Sequence, residues 1–133
     1  MGREIYYRDD RTITVPDELR RLAVQYDHDI ETVRFECPRY WDDEDMSKMA
    51  VFINYMLPDN TVGSYPCTGV FTYPSKPDIM HFDWRISQNV TKVKGNIKFL
   101  ICVKKTDSDG NLTRHWNSEL CDSCYISEGL EAD

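Results

Sequence analysis

Apolar and polar residues alternate with a period of two along much of this chain, which is the pattern of half-buried β-strands. The alternation is clearest in three segments, residues 31–40, 78–87 and 96–105. Their inward positions carry large apolar side chains: Val33, Phe35 and Cys37 in the first, Met80, Phe82, Trp84 and Ile86 in the second, and Ile97, Phe99, Ile101 and Val103 in the third. We therefore predict three core strands with aromatic rings at their centre.

Shorter segments complete the predicted strands. Residues 49–57 (MAVFINYML) are nearly all apolar, as expected of a strand that is central in a sheet or covered on both faces. Residues 106–113 (TDSDGNLT) predict a hairpin turn, after which the chain pairs back. Residues 58–65 (PDNTVGSY) are rich in turn formers and are read as a turn. Residues 16–29 (PDELRRLAVQYDHD) favour a short helical turn or a loop that leads into a strand at LAVQYD.

The number and spacing of these segments predict the fold class. About seven or eight short strands, separated by turns, with little helix, indicate an all-β fold and specifically an antiparallel β-sandwich. The 133 residues suffice for one domain with a core. We expect residues 1–10 to be a charged arm and residues 11–133 to be the single domain. The acidic end SEGLEAD predicts an N-terminal fragment of a longer protein.

Charge and composition narrow the class of partner. The formal net charge of −7 argues against non-specific nucleic-acid binding and against an anionic membrane surface. Neither a signal peptide nor an apolar run of membrane-spanning length is visible. We therefore expect a protein made in the cytoplasm, without a cofactor, whose five cysteines stay reduced.

The acidic run at residues 42–45 (DDED) suggests three kinds of chemistry. Counted from Asp43, Asp45 fits an EF-hand loop, but the required glycine and terminal glutamate are missing. A looser calcium site that includes residues 107–109 stays open, with Asp43 and Asp45 as weak metal candidates. A catalytic carboxylate pair must face across a cleft, which one loop does not indicate. We favour a solvated hairpin loop, with Arg39 paired to Asp45 across its base.

Cys121 and Cys124 form a lone CxxC, which supplies two of the four ligands of a zinc site. His115 or Cys102 would have to complete that site, and the spacing matches no zinc finger. We retain both cysteines as weak metal candidates and favour two ordinary cysteines in a turn and strand. No nucleophile motif is present, and His81 falls on the outward face of its predicted strand.

The aromatic residues fit a core or a binding platform. Trp84 and Trp116 are assigned to the core, whereas Tyr40 and Trp41, at a loop mouth, are weak binding candidates. A carbohydrate-binding module that recognises a host cell-wall saccharide would need an exposed row of aromatic rings, here Tyr40, Trp41 and Tyr65.

Several segments together resemble a known family. They include DRTITVP, VQYDHDIETVRFECPRYWDDEDMS, INYMLPDNTVGSYPC, DIMHFDWRISQNVTKVKGNIKFLICVKK and WNSELCDSCYISEGLEAD. In this order they resemble the N-terminal domain of tail or baseplate structural proteins in phages and prophages of Firmicutes, of the baseplate upper protein type. The resemblance covers nearly all of residues 9–133, and its motifs are structural. The acidic loop and the number of cysteines depart from the pattern.

The resemblance implies a non-enzymatic virion component that assembles through protein–protein contacts. Its expected partners are other tail or baseplate proteins, and it is expected to be a homo-oligomer in the particle. It implies no catalytic residues and no cofactor. A saccharide-binding module remains the alternative, and a glycosidase would require facing carboxylates in a groove.

Overall fold

The computed structural model describes residues 4–7, as backbone, and residues 11–131. These residues form thirteen strands: β1 (Glu4–Tyr7), β2 (Ile13–Thr14), β3 (Arg21–Val24), β4 (Thr32–Pro38), β5 (Tyr40–Trp41), β6 (Glu44–Asp45), β7 (Ala50–Met56), β8 (Val62–Cys67), β9 (Phe71–Tyr73), β10 (Lys76–Arg85), β11 (Gly95–Thr106), β12 (Leu112–Asn117) and β13 (Cys121–Ser127). Helical structure is limited to α1 (Gln88–Thr91) and the 3-10 turns Asp17–Leu19 and Met46–Lys48. In the described part of the chain no helix has the length and apolar character needed to cross a membrane.

The strands form two large sheets and one small one. The five-stranded sheet has the order β2-β1-β4-β10-β9. The six-stranded sheet has the order β3-β13-β11-β7-β8, with β12 also paired to β11. Strands β5 and β6 form a separate hairpin. Both large sheets are mixed, since β1 is parallel to β4 and β3 is parallel to β13.

The mostly-β prediction with little helix is confirmed, but the prediction of a clean antiparallel sandwich of seven or eight strands is wrong. The main β structure is mixed rather than purely antiparallel and curls as a half-barrel, with the β5–β6 hairpin beside it. Both parallel pairs join strands that are distant in sequence. Alternation within a segment determines which face is buried and carries no information about the direction of the partner strand.

The three predicted core strands are present as β4, β10 and β11. All of their predicted inward residues are buried. Phe35 stacks on Phe82 with ring centroids 5.5 Å apart, and Phe99 lies 6.0 Å from Phe35 and 5.5 Å from Trp84. Because Phe99 belongs to the six-stranded sheet and the other three to the five-stranded sheet, these rings join the sheets. Trp116 is also buried, as predicted.

The turn predicted at residues 58–65 is only half correct. The chain turns at residues 58–61, but β8 begins at Val62 and pairs along β7. Gly63 is a strand residue directly opposite Tyr55, whose ring lies over it. The glycine is needed for this contact between side chain and backbone, not for a turn.

The predicted charged arm overlaps a strand. Residues 4–7 form β1 between β2 and β4. Residues 1–3 and 8–10 lie outside the described residues, as do 132–133 of the acidic end. The boundary between arm and domain therefore stays a prediction.

Replacing Gly63 by alanine is expected to destabilise the domain by about 1–3 kcal/mol. A Cβ at this position would lie 2.4 Å from the Tyr55 hydroxyl oxygen. The Tyr55 ring cannot move away freely, because it also stacks on the Trp84 ring, with the two ring centroids 5.9 Å apart. Urea-induced unfolding followed by tryptophan fluorescence measures the change.

The matched control is Gly69→Ala, since nothing lies within 4 Å of a Cβ built there. Its unfolding midpoint should equal or slightly exceed that of the parent. Equal midpoints for the two variants would contradict the proposed role of Gly63.

Candidate functional site

The acidic run is a tight β-hairpin. Trp41 of β5 pairs with Glu44 of β6, so Asp42 and Asp43 form a two-residue loop. Both have positive φ, 47° for Asp42 and 66° for Asp43. Positive φ at both central positions defines a type I′ turn, whose twist matches the flanking strands and which aspartate tolerates. Two of the four carboxylates are therefore exposed turn residues.

Asp45 closes the base of this hairpin. The Arg39 guanidinium donates from Nε and from a terminal nitrogen to the two carboxylate oxygens, each at 3.1 Å. The Ser47 hydroxyl and backbone N–H also donate to Oδ1, at 2.6 and 3.1 Å. These donors lower the pKa of Asp45 from 3.8 to about 2, with Arg39 as the largest cause. The pair expected between Arg39 and Asp45 is thus present, and both side chains are largely covered.

The four carboxylates do not converge on one point. Glu44 faces the ammonium of Lys105 at 3.4 Å, and Asp45 faces Arg39. In the second acidic loop, Asp107 accepts backbone N–H groups of its own turn. Among residues 11–131 no group of three or more potential metal ligands occurs. Asp43 and Asp45 stay weak metal candidates, and the solvated loop stays the favoured prediction.

A cleft opens beside the hairpin, and Trp41 is part of its wall. The Trp41 and Trp116 rings meet edge to face, with centroids 5.4 Å apart. The Arg11 guanidinium lies 5.0 Å from the Trp41 centroid and 5.4 Å from the Trp116 centroid. The cleft measures about 370 Å³, and Asp42 and His115 also line it. It combines an aromatic wall with charged groups of both signs.

The predicted aromatic row is not formed by its three proposed members. Tyr40 precedes Trp41 in β5, so their side chains point to opposite faces. The Arg39 guanidinium lies 5.1 Å above the Tyr40 ring. Tyr65 belongs to β8 and packs against the core. Tyr40 and Trp41 therefore contribute to two different surfaces.

The two cysteines of the CxxC lie together on β13. Both are buried, and neither is in a disulfide. Elsewhere, the Cys102 sulfur lies 3.3 Å from the His115 Nε2. The structure does not bring either of these residues into a three-ligand group with the CxxC. Cys121 and Cys124 stay weak metal candidates, and two ordinary cysteines stay the favoured prediction.

His81, predicted on the outward face of its strand, alternates with the core residues Met80 and Phe82, yet its side chain is buried. Its ring stacks on Phe71 at 5.4 Å and meets the edge of Tyr73 at 4.8 Å. Both aromatic residues belong to β9, which pairs with β10 in the same sheet, so their rings lie beside His81 and bury it. The sequence of the short segment FTY did not indicate these contacts.

An apolar groove on the outer face of the six-stranded sheet escaped the sequence reasoning. Val62 and Leu120 are exposed by 73% and 58% and lie beside the partly buried Met56 and Leu100. The groove measures about 520 Å³, and Lys98 is the charged residue that lines it. We name these five residues the outer groove. Val62 fell within a presumed turn, so its place on a sheet face was not considered.

Comparison with known proteins gives a likeness to solved structures and no sequence match. No protein-family model matches the chain, and no curated protein sequence matches it. Among solved structures, the chain is similar to the N-terminal domain of phage TP901-1 ORF48 at 10% identity, covering 94% of this chain and 95% of that chain, with a TM-score of 0.48. At this identity and TM-score the likeness carries no argument about function.

Replacing Asp45 by asparagine is expected to lower the unfolding free energy by about 1–2 kcal/mol at pH 7. The folded-state pKa of about 2 lies below the ordinary value of 3.8. The extra stability is therefore complete above pH 3.8 and is lost as the pH falls toward 2. Denaturant unfolding of parent and variant across this range should give a difference that shrinks with acidification.

Asp43→Asn is the matched control, with the same chemical change in the same loop. Asp43 is exposed, and asparagine tolerates its positive φ. Its unfolding free energy should stay within about 0.5 kcal/mol of the parent at every pH. A pH-independent difference for Asp45→Asn would refute the assignment of the stabilisation to its ionised carboxylate.

Proposed function

We propose that the chain is a non-enzymatic structural module of a phage or prophage virion, in the baseplate or tail fibre. The motif resemblance over residues 9–133 supports the phage class. The mostly-β fold with sheet faces open to partners agrees with an assembly role. In this proposal the protein is made in the bacterial cytoplasm and is incorporated into the tail.

The outer groove is the surface we assign to docking. Exposed side chains of the size of Val62 and Leu120 beside two further apolar residues are the kind of contiguous patch that marks a protein interface. The groove lies on strands β7, β8 and β11, with β7 paired to both of the others, and Leu120 is added by the loop between β12 and β13. This apolar patch is the observation that carries the proposal.

The composition of the outer groove defines the partner. Its apolar floor favours an apolar ridge or strand of another virion protein, and Lys98 favours a carboxylate at the rim of that partner. In a symmetric tail the same contact repeats around the axis, so several copies of this chain would be present. Neighbouring virion proteins, with no nucleic acid and no membrane, are the proposed partners.

The first test is whether the chain is in the particle. Phage particles from a strain that carries the gene are purified, and their proteins are identified by mass spectrometry. Immunogold labelling with an antibody against the chain should mark one end of the tail. Purified, infective particles that lack the chain would overturn the proposal.

The second test changes the outer groove. The double variant Val62→Asp and Leu120→Asp, introduced into the phage gene, should reduce incorporation of the chain at least tenfold, measured by immunoblot of purified particles. Leu112→Asp is the control, because Leu112 is 53% exposed and lies in β12 opposite Thr106, at the end of β11 away from the groove. Thermal unfolding of the isolated chains should be unchanged by both sets of substitutions. Equal incorporation of all three forms would refute docking through this groove.

Recognition of a host cell-wall saccharide is the second candidate function, and the Trp41 cleft favours it. An indole wall beside Asp42, Glu44 and His115 offers a stacking surface and hydrogen-bonding groups, as saccharide sites require. The Arg11 guanidinium already lies over the Trp41 ring. A sugar would therefore have to displace the guanidinium or contact the part of the Trp41 ring that the guanidinium leaves uncovered.

The saccharide function predicts loss of binding on Trp41→Ala. An array of bacterial cell-wall saccharides should give a signal with the parent chain that falls at least tenfold in the variant. Tyr40→Ala is the control, because Tyr40 points to the other face of the hairpin. Absence of a signal with the parent, or equal losses for both variants, would exclude binding in this cleft.

A further inference from the structure

Strand β13 contains an irregularity that brings two thiols together. Cys121 lies opposite Phe99 of β11, whereas Cys124 lies opposite Ile97. Three steps along β13 thus match two steps along β11, which is a β-bulge with one extra residue. In a regular strand, positions i and i+3 face opposite sides. The bulge removes this constraint, so both cysteines are buried while the two residues between them are exposed.

The bulge places both thiols on the buried side of β13. An interaction between the two side chains is also the largest cause of the pKa shift of each thiol. The Cys121 sulfur lies 3.5 Å from the Ser123 hydroxyl oxygen, and the Cys124 sulfur lies 3.8 Å from the Leu19 carbonyl oxygen. The two thiols therefore lie on one side of the strand in the reduced protein, close enough to affect each other.

The environment divides the roles of the two thiols. The Cys124 thiol and the Ser123 hydroxyl and N–H lower the pKa of Cys121 below its usual value. The pKa of Cys124 is raised, by the hydrogen bond to Cys121 and by burial. A thiolate is the attacking species in thiol–disulfide exchange. Cys121 also keeps an exposed fraction of 8%, whereas Cys124 is completely buried, so Cys121 is suited to attack first and Cys124 to resolve.

We propose that Cys121 and Cys124 form a reversible intramolecular disulfide, with a low-molecular-weight disulfide such as oxidised glutathione as the oxidant. The Cys121 thiolate attacks one sulfur of oxidised glutathione, whose S–S bond breaks, and one glutathione leaves and takes up the proton that Cys121 had lost. The Cys124 sulfur, on losing its proton to the solvent, then attacks the Cys121 sulfur and displaces the second glutathione, which is protonated in turn. Two protein thiols are oxidised by two electrons, and one disulfide is reduced to two thiols.

The other three cysteines lack these features. Burial raises the pKa of Cys37, raises that of Cys67 to about 12 and also raises that of Cys102. None of the three has a thiol as a hydrogen-bond partner among the contacts that shift its pKa. The proposal is therefore confined to the CxxC of β13. It does not depend on whether the chain is a virion module.

The sequence allows a direct test by peptide mapping. Trypsin cuts after Arg114 and at no later position, so the peptide of residues 115–133 contains Cys121 and Cys124 and no other cysteine. Cys37, Cys67 and Cys102 each fall in a different tryptic peptide. The folded chain is equilibrated with glutathione at increasing oxidised-to-reduced ratios, quenched with N-ethylmaleimide under denaturing conditions, digested and analysed by mass spectrometry.

Under oxidising ratios we expect peptide 115–133 to lose two hydrogen atoms and to become unreactive toward N-ethylmaleimide, while the other three cysteines are still labelled. Reduced glutathione should restore both thiols. If this peptide keeps both thiols across the whole series, or carries two glutathiones, the proposal is wrong. The parent chain alone decides this point, so the result does not depend on the folding of a variant.

Two variants separate the roles of the cysteines. Cys124→Ser should retain one glutathione on Cys121, because the resolving thiol is absent. Cys121→Ser should leave Cys124 unmodified, because the attacking thiol is absent. Cys102→Ser is the control and should form the Cys121–Cys124 disulfide at the same glutathione ratios as the parent. The assigned order would be overturned if Cys124 in the Cys121→Ser variant took up as much glutathione as Cys121 does in the Cys124→Ser variant.

Discussion

The contact of Phe99 with Phe35 and Trp84 is the interaction on which the rest of the structure depends. It is where the five-stranded and six-stranded sheets meet, with ring centroids 6.0 and 5.5 Å apart. Rings of this size bury large apolar areas, and the tilted and edge-to-face arrangements suit their charge distribution. The strands that carry the rings, β4, β10 and β11, also form the longest pairings. The outer groove, the Trp41 cleft and the CxxC bulge are all attached, directly or through one neighbour, to β11.

The central strands could be predicted from sequence because burial on one face imposes a period of two. Val33, Met80 and Ile101 each lie where the alternation puts them, fully buried. The direction and identity of the partners could not be predicted. The pairs β1–β4 and β3–β13 are parallel. Their direction depends on the path of the chain between the two strands, and alternation within one strand carries no information about that path.

The conformation of the acidic run, residues 42–45, could be predicted from the sequence only in part. The prediction of a hairpin loop with an Arg39–Asp45 pair agrees with the observed geometry, because strand-like segments flanked the run. The type I′ turn at Asp42 and Asp43 was not predicted, since the usual Asn-Gly or Asp-Gly pair is absent. The aromatic candidates failed as a row for a simple reason: Tyr40 and Trp41 are adjacent in a strand, and adjacent residues face opposite ways. The bulge at Cys121 and Cys124 has no local sequence signal, because it is a property of the pairing with β11.

The parallel pair β3–β13 has a consequence for synthesis of the chain on the ribosome. The contact of Leu19 with Cys124 spans 105 residues of sequence. Until β13 leaves the exit tunnel, β3 lacks the strand with which it pairs, and the apolar residues Leu22 and Ala23 of β3 are not yet part of a completed sheet. Contacts of such separation close slowly and leave strand edges exposed meanwhile. A late strand of this domain therefore pairs with one of its earliest strands, and slow translation between β3 and β13 would prolong the interval in which the nascent chain is prone to aggregate.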